Sequence, residues 1–343
     1  MSTYVFDNII VFYIKRSSLD NRILQFCILL KELSHMIDEA LLYYNFLNPK
    51  YTFIRHNENM TYQVIDGNNK FLLRIHKAAA GLNFSFQCGE TPREVFIHSE
   101  IELLMKMLSD TNIRVQQPIT NKLGEYVTKL RSGHYVTALS WFDGEDLRNA
   151  TITSEIVHNI GKLIGSLHNL MSRLPYFHRY SYDEDMIGRV LNEIKKAFEL
   201  QHIEEKHYEC IRNFLLGFSK LIRKEKKNFI LVHADLSKSN LINNGNEIIP
   251  IDFSLSGYAL PEMDLAEMSC SLNDKTLTSS LLDGYRHVSE YSLNEFYVDV
   301  YFAFSIVLYI AYHHENFVGD EKSQNSLDRW TTTIIEPIVA KME

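Results

Sequence analysis

The sequence predicts an α+β protein in which an N-terminal antiparallel sheet is followed by a mainly helical part. Three observations support this class. Between residues 51 and 76, three short apolar segments alternate with turn residues, and a second hairpin signal surrounds Ser132-Gly133. From about residue 153 onward, apolar residues recur every three or four positions, which is typical of amphipathic helices. Strands first and helices later is the order expected of an α+β chain.

The N-terminal part of the chain is predicted to contain two helices and five strands. Apolar residues at helical spacing predict a first helix over Asp20–Phe46. Thr91 and Pro92 predict another helix, opened by a capping box with proline at its first position. The five predicted strands are Tyr51–His56, Met60–Asp66, Lys70–His76, Glu125–Arg131 and His134–Trp141. The predicted domains are a helical extension (1–47), a sheet lobe (48–140) and a helical lobe (141–343).

The helical lobe begins with a helix predicted over Thr153–Arg173, where Gly161 and Gly165 allow close approach of a neighbour. His168, near its end, is interpreted as a structural histidine. Asp264 is interpreted as a helix N-cap or a loop anchor rather than a substrate ligand. The remainder, Lys275–Glu343, is helical by periodicity.

Composition excludes several classes of protein. With 343 residues, of which 45% are hydrophobic, the chain is long enough to bury a sizeable core. Its four cysteines form no C-x-x-C pair, which favours buried thiols in a reducing compartment. The net charge of -8 argues against nucleic-acid binding and allows a cationic substrate. No signal peptide is recognised, and the apolar run Tyr301–Tyr312 is too short to span a bilayer, so a cytoplasmic protein without a membrane partner is expected.

The segment from Phe229 to Phe253 carries the chemistry. Two apolar strands joined by Asn244-Gly245 form a strong hairpin signal, and this hairpin should bring Asp252 back beside Asn240. An amide and a carboxylate oxygen suit a magnesium ion that is bound through nucleotide phosphates. Asp235, five residues before Asn240, is then available to accept a hydroxyl proton. Each residue taken alone is more often a turn or cap residue, and it is the three together at this spacing that predict a metal-phosphate site.

These residues resemble the H-x-D-x-x-x-x-N and D-F elements of the aminoglycoside phosphotransferase and choline kinase family, whose fold is bilobal and protein-kinase-like. The resemblance covers roughly residues 50–290. It implies that Asp235 is the catalytic residue and that Asn240 and Asp252 hold Mg²⁺, with ATP or GTP as co-substrate. Ser254 stands where relatives often carry an acidic residue.

The same resemblance assigns nucleotide-binding roles in the sheet lobe. Arg74, steadied by Glu100, is similar to the Lys-Glu pair that orients the nucleotide in kinases. The alternative is that both side chains simply face water. Asn59 and Thr61 are candidate phosphate donors in a loop without glycine, or else part of a polar hairpin turn. Candidates for meeting the adenine edge at the hinge are Ser140, Trp141 and Phe142.

The function implied is transfer of the γ-phosphoryl group of a nucleoside triphosphate to a hydroxyl of a small molecule. The acceptor would be an antibiotic such as an aminoglycoside, conferring resistance, or a metabolite such as choline or homoserine. A protein Ser/Thr kinase of the same fold and a nucleotide-binding pseudokinase are the two alternatives. Fold similarity alone does not establish a reaction, so the hypothesis depends on Asp235, Asn240 and Asp252 lying together.

Overall fold

The computed structural model describes residues 35–342 and divides into two compact units. Unit 1 comprises residues up to 80 together with 117–141; unit 2 comprises residues 81–116 and those from 142 onward. Most of the predicted first helix lies outside the described residues, and its described part is helical over 35–42 (α1). Residues 81–116 group with unit 2, whereas the sequence favours the sheet lobe for them; the domain boundaries stay a prediction.

Unit 1 is an antiparallel sheet covered by α1. Its strands run in the order β1-β2-β3-β6-β4, with β5 paired to β6. Apolar residues of α1, including Ile37 and Ala40, pack against Met60, Val64 and Leu73 of the sheet. All five predicted strands are confirmed, and the two-residue β4 was missed because it is too short to show alternation. The strands are β1 (Lys50–His56), β2 (Met60–Asp66), β3 (Asn69–Ile75), β4 (Pro118–Ile119), β5 (Val127–Lys129) and β6 (Tyr135–Ser140).

Unit 2 is mainly helical and contains two small sheets, β7-β10-β11 and β8-β12-β9. The predicted α+β class is confirmed. The helices are α2 (Ser85–Cys88), α3 (Arg93–Asp110), α4 (Ser154–Met171), α5 (Glu184–Glu199), α6 (Glu205–Glu225), α7 (Glu262–Leu272), α8 (Lys275–Val288), α9 (Glu295–His313), α10 (Glu321–Trp330) and α11 (Glu336–Met342). The strands are β7 (Glu145–Asp146), β8 (Tyr180–Ser181), β9 (Ile230–Val232), β10 (Leu241–Asn243), β11 (Ile248–Pro250) and β12 (Gly257–Ala259).

The crossing of α4 and α8 explains the glycines of α4. A Cβ atom on Gly161 would lie 2.1 Å from the carbonyl oxygen of Leu281, so only glycine permits this approach. The prediction of a close helix neighbour is therefore confirmed. At the start of α3, by contrast, the predicted capping box is wrong. Pro92 itself occupies the N-cap with ψ 136°, and no side chain caps the helix. Thr91 is thus one residue too early to cap.

The apolar helix near the C-terminus is longer than its sequence pattern suggested. Helix α9 and the turn after it form a 23-residue stretch, Glu295–Phe317. By length and composition it is long enough to cross a membrane, so the expectation that it is too short was wrong. Half of its most apolar window is buried inside the structure, as is common for a core helix of a globular protein.

Candidate active site

The β10–β11 hairpin brings Asn240 and Asp252 together. Leu241 pairs with Pro250, and the next residues outward remain joined because the Ile251 N–H donates to the Asn240 carbonyl at 2.9 Å. Asp252 is the residue that follows Ile251. Both side chains are buried, so the hairpin delivers an amide and a carboxylate to one sheltered place. The predicted juxtaposition of these two residues is observed.

The Asn240 amide also connects this pair to Asp235. Its Nδ2 donates to the Asp235 carbonyl at 2.8 Å and to the Asp235 carboxylate oxygen Oδ2 at 2.7 Å. The amide oxygen, Oδ1, is buried and accepts from no donor in residues 35–342. A buried oxygen without a donor is costly, and a cation would satisfy it. Asp252 lies one residue beyond the Ile251–Asn240 hydrogen bond, so its carboxylate and this amide oxygen are the hard-oxygen ligands that Mg²⁺ prefers.

Asp264 anchors the loop that carries Asp235. Its two carboxylate oxygens accept from the backbone N–H groups of His233 at 2.9 Å and Ala234 at 2.7 Å, and from His168 Nε2 at 3.0 Å. Burial pushes the pKa of Asp264 up, but these hydrogen bonds and the nearby histidines outweigh it, so the net pKa is lowered. Asp264 lies inside α7, whose N-cap is Pro261. Of the two predicted roles, the structure therefore selects loop anchor.

Two histidines stiffen the same loop. His168 is fully buried, and its other ring nitrogen lies 3.1 Å from the hydroxyl of Tyr285, as expected of a structural histidine. The ring of His233 packs on that of Phe253 at 4.5 Å between centroids, and its Nε2 donates to the Ile251 carbonyl at 3.0 Å. Burial lowers the pKa of His233, which keeps it neutral. His233 therefore connects the loop that carries Asp235 to Ile251, the residue before Asp252.

The backbone at the site is held in an uncommon conformation. Ala234 and Asp252 both adopt positive φ, 63° and 65°, although neither is glycine. Such residues persist where their surroundings hold them, and they concentrate at functional sites. The turn after Asp252 is supported by the buried residues Arg179 and Tyr182, and the Tyr182 hydroxyl donates to the Leu255 carbonyl at 2.8 Å. Sequence reasoning missed both, because they precede that turn by more than 70 residues.

Arg74 and Glu100 are both buried, each with 2% of its surface exposed. The alternative in which they face water is therefore wrong. Arg74 lies on β3 in unit 1, opposite Thr137 of β6, while Glu100 lies on α3 in unit 2, near enough to His233 to favour its protonated form. Their pairing stays a prediction.

The other candidate nucleotide residues lie in unit 1 or at its border with unit 2. Thr61 pairs with Arg74 in the β2–β3 register, and Asn59 closes a tight turn by accepting the Asn57 N–H at 3.2 Å. Ser140 is engaged by Gln117, which donates to its hydroxyl and accepts its N–H, both at 2.8 Å. The hinge role of Ser140, Trp141 and Phe142 stays a prediction.

Comparison with known proteins gives a family match over most of the chain. Residues 50–296 match the model of the family described as the phosphotransferase enzyme family. Over 232 residues the chain is 22% identical to the amicoumacin kinase of Bacillus subtilis, covering 65% of this chain and 63% of that relative, less than two thirds of its length.

Solved structures share the fold. A microcompartment-associated aminopropanol kinase superposes with a TM-score of 0.71 at 19% identity, covering 90% of this chain and 98% of that one. An amicoumacin kinase in complex with AMP-PNP and Ca²⁺ gives a TM-score of 0.67 at 18% identity, covering 90% and 93%. At these identities the likeness shows the fold alone.

Proposed function

Because this chain belongs to the phosphotransferase enzyme family, we propose that it moves the γ-phosphoryl group of ATP or GTP to a hydroxyl of a small molecule. One observation carries the proposal. Asn240 donates its amide nitrogen to Asp235, and its buried amide oxygen accepts from no donor in residues 35–342, at the end of the hairpin that also presents Asp252. A proton acceptor and a metal-binding pair are therefore organised by a single side chain.

Each of the three side chains has a separate task. Asn240 Oδ1 and the Asp252 carboxylate would hold Mg²⁺, which supplies charge neutralisation at the transferring phosphoryl group. Asp235 accepts the proton of the acceptor hydroxyl as charge builds on the transferring group. The hydrogen bond from Asn240 fixes the orientation of the Asp235 carboxylate, so that the geometry required for attack exists before the acceptor arrives.

Nucleotide binding is assigned to the sheet unit and to α3. Arg74 and Glu100 would orient the phosphates; each is buried, and a buried charge requires a partner. Asn59 and Thr61 would contact the phosphates, and Trp141 and Phe142 would meet the base. The acceptor would be an alcohol that also bears an amine, as in the aminopropanol kinase, and the net charge of -8 favours a cation. A cytoplasmic location is proposed with it.

The test is phosphate transfer from γ-labelled ATP or GTP, with Mg²⁺, to a panel of amino alcohols, aminoglycosides, choline and homoserine. We expect label on an amine-bearing alcohol, and a rate at least about a thousand-fold lower for Asp235→Asn. A neutral polyol of similar size is the matched control acceptor. Label found only on protein would favour a protein kinase. Nucleotide binding without transfer to any acceptor would favour a pseudokinase.

A further inference from the structure

Arg179, just before β8, donates hydrogen bonds to two separate backbone elements while only 4% exposed. Nε donates to the carbonyl and the hydroxyl of Ser256, at 3.1 and 3.0 Å. Nη2 donates to the carbonyls of Phe253 and Ser254, at 3.0 and 2.6 Å. Nη1 donates to the carbonyl of Phe96, in the first turn of α3, at 2.5 Å. The planar fork of a guanidinium allows this divergent set of bonds.

The first element, residues 253–256, directly follows the metal-binding candidate Asp252. Asp252 sits at φ 65° and ψ 69°, a left-handed conformation that is unfavourable for a non-glycine residue. Such a residue relaxes unless its neighbours are fixed. The carbonyls that Arg179 holds are those of the very next residues in the chain.

The second element is the helical turn that carries Glu100. In an α-helix the carbonyl of residue i accepts the N–H of residue i+4, so the Phe96 carbonyl is the one opposite the Glu100 amide. Arg179 therefore contacts both the turn after Asp252 and the turn of α3 that presents Glu100. Burying its charge is expensive, and an apolar side chain would fill the same space at lower cost.

We propose that Arg179 is a positioning residue for the metal-nucleotide site. Its guanidinium fixes the backbone that presents Asp252 and ties it to the helix that presents Glu100, so that both carboxylates keep their places. Loss of Arg179 should weaken Mg²⁺-dependent nucleotide binding beyond any loss of fold stability. This inference rests on the proposed function, because it takes Asp252 as a metal ligand.

The experiment measures thermal stabilisation of the full chain by a saturating, non-hydrolysable ATP analogue while Mg²⁺ is titrated. Arg179→Met should raise the Mg²⁺ concentration for half-maximal stabilisation about tenfold. Arg179→Lys, which keeps the charge but loses the fork, should raise it about threefold. The matched control is Gln324→Met, because Gln324 donates instead to the carbonyls of His202 and Phe317, at 3.2 and 3.4 Å. Its Mg²⁺ titration should equal that of the wild type.

The outcomes separate the two claims. If the wild type shows no Mg²⁺-dependent stabilisation, the metal assignment fails and the role of Arg179 falls with it. If the wild type responds and both Arg179 variants titrate like Gln324→Met, only the positioning role is overturned. Should Arg179→Met fail to fold, Arg179→Lys decides alone. Collapse of both variants would show a purely structural residue and overturn the proposal.

Discussion

The two ends of the β10–β11 hairpin differ in what holds them. At the closed end, the turn is satisfied by its own residues: Asn243 Oδ1 accepts the Gly245 N–H at 2.9 Å, and Asn244 Oδ1 accepts from Asn246 and Glu247 at 2.9 and 3.0 Å. At the open end, Asn240 and Asp252 are buried, and the turn after Asp252 is held by Arg179, more than 70 residues earlier in the chain. The turn at the closed end is capped by its own side chains, with one exposed ion pair between Glu247 and Arg114, whereas the open end is enclosed by the rest of unit 2.

This difference separates a structural turn from a site. The closed end is exposed and has every feature of an Asx turn. The open end combines an amide oxygen that no donor in residues 35–342 satisfies with a left-handed Asp252, and both features cost stability. Features that lower stability cluster at the open end of the β10–β11 hairpin. Such clustering is typical of a functional site.

The largest effect on phosphate transfer is expected from a substitution at Asp252. Asn tolerates the left-handed conformation, so Asp252→Asn removes a charge without changing the backbone. We expect the rate of phosphate transfer to fall about a thousand-fold, because a metal contributes several kcal/mol of charge stabilisation. Initial rates over a range of Mg²⁺ concentrations measure the loss, and Asn246→Ala at the closed end is the control. Activity within tenfold of wild type would remove Asp252 from the metal site.

A second change tests whether Asn240 at the open end controls the protonation of Asp235. In Asn240→Asp, a carboxylate replaces the amide that donates to Asp235 at 2.7 Å. Two carboxylates at this distance cannot both stay ionised. The pair therefore keeps one proton up to a higher pH than Asp235 does beside the wild-type amide. We expect the acid limb of the pH-rate profile to move to higher pH, with a loss of about tenfold or more at neutral pH. An unmoved acid limb would show that Asn240 does not control Asp235.

A third change tests the anchor beneath the open end. Asp264→Asn should lower the free energy of unfolding by about 3 kcal/mol, because it leaves buried donors poorly paired. The folded pKa of Asp264 lies below its usual value of 3.8, so its stabilising effect is complete above that value and is lost as pH falls through the folded pKa. Urea unfolding of the wild type should therefore weaken below about pH 4. The variant should lose less on acidification; an identical pH slope would contradict the lowered pKa.

The smallest effect is expected at the closed end. Gly245 has φ 90°, and a Cβ atom there would meet nothing within 4 Å. Gly245→Ala should therefore cost only the backbone strain, about 1 kcal/mol, in urea unfolding. Phosphate transfer should remain unchanged. A drop in the rate of transfer of more than about threefold would mean that the closed and open ends of the hairpin are coupled.

The same contrast explains what the sequence could predict. The hairpin and its three polar residues follow from apolar strands around Asn244-Gly245, so their juxtaposition was predictable. The close approach at Gly161 followed from a similarly local pattern, whereas the sequence left Asp264 open between helix N-cap and loop anchor. The capping box at Thr91 failed because Pro92 took the N-cap itself.

What the sequence could not predict depends on contacts between distant residues. Arg179 and Tyr182 support the turn after Asp252 across more than 70 residues, and neither belongs to a motif. The left-handed backbone at Asp252 could not be predicted, because the residue at that position is not glycine. The pairing of Arg74 with Glu100 and the identity of the acceptor stay predictions, since no local pattern encodes them.

The central claim is that Asn240 and Asp252 bind the metal while Asp235 serves only the acceptor. Calorimetric titration with ATP, in the presence of Mg²⁺ and again with a chelator, tests it on Asp235→Asn and Asp252→Asn. We expect Asp235→Asn to bind Mg²⁺-ATP within about threefold of wild type, while Asp252→Asn loses at least about tenfold in affinity and no longer responds to Mg²⁺. Equal losses in both variants, or Mg²⁺-dependent binding that survives in Asp252→Asn, would contradict it.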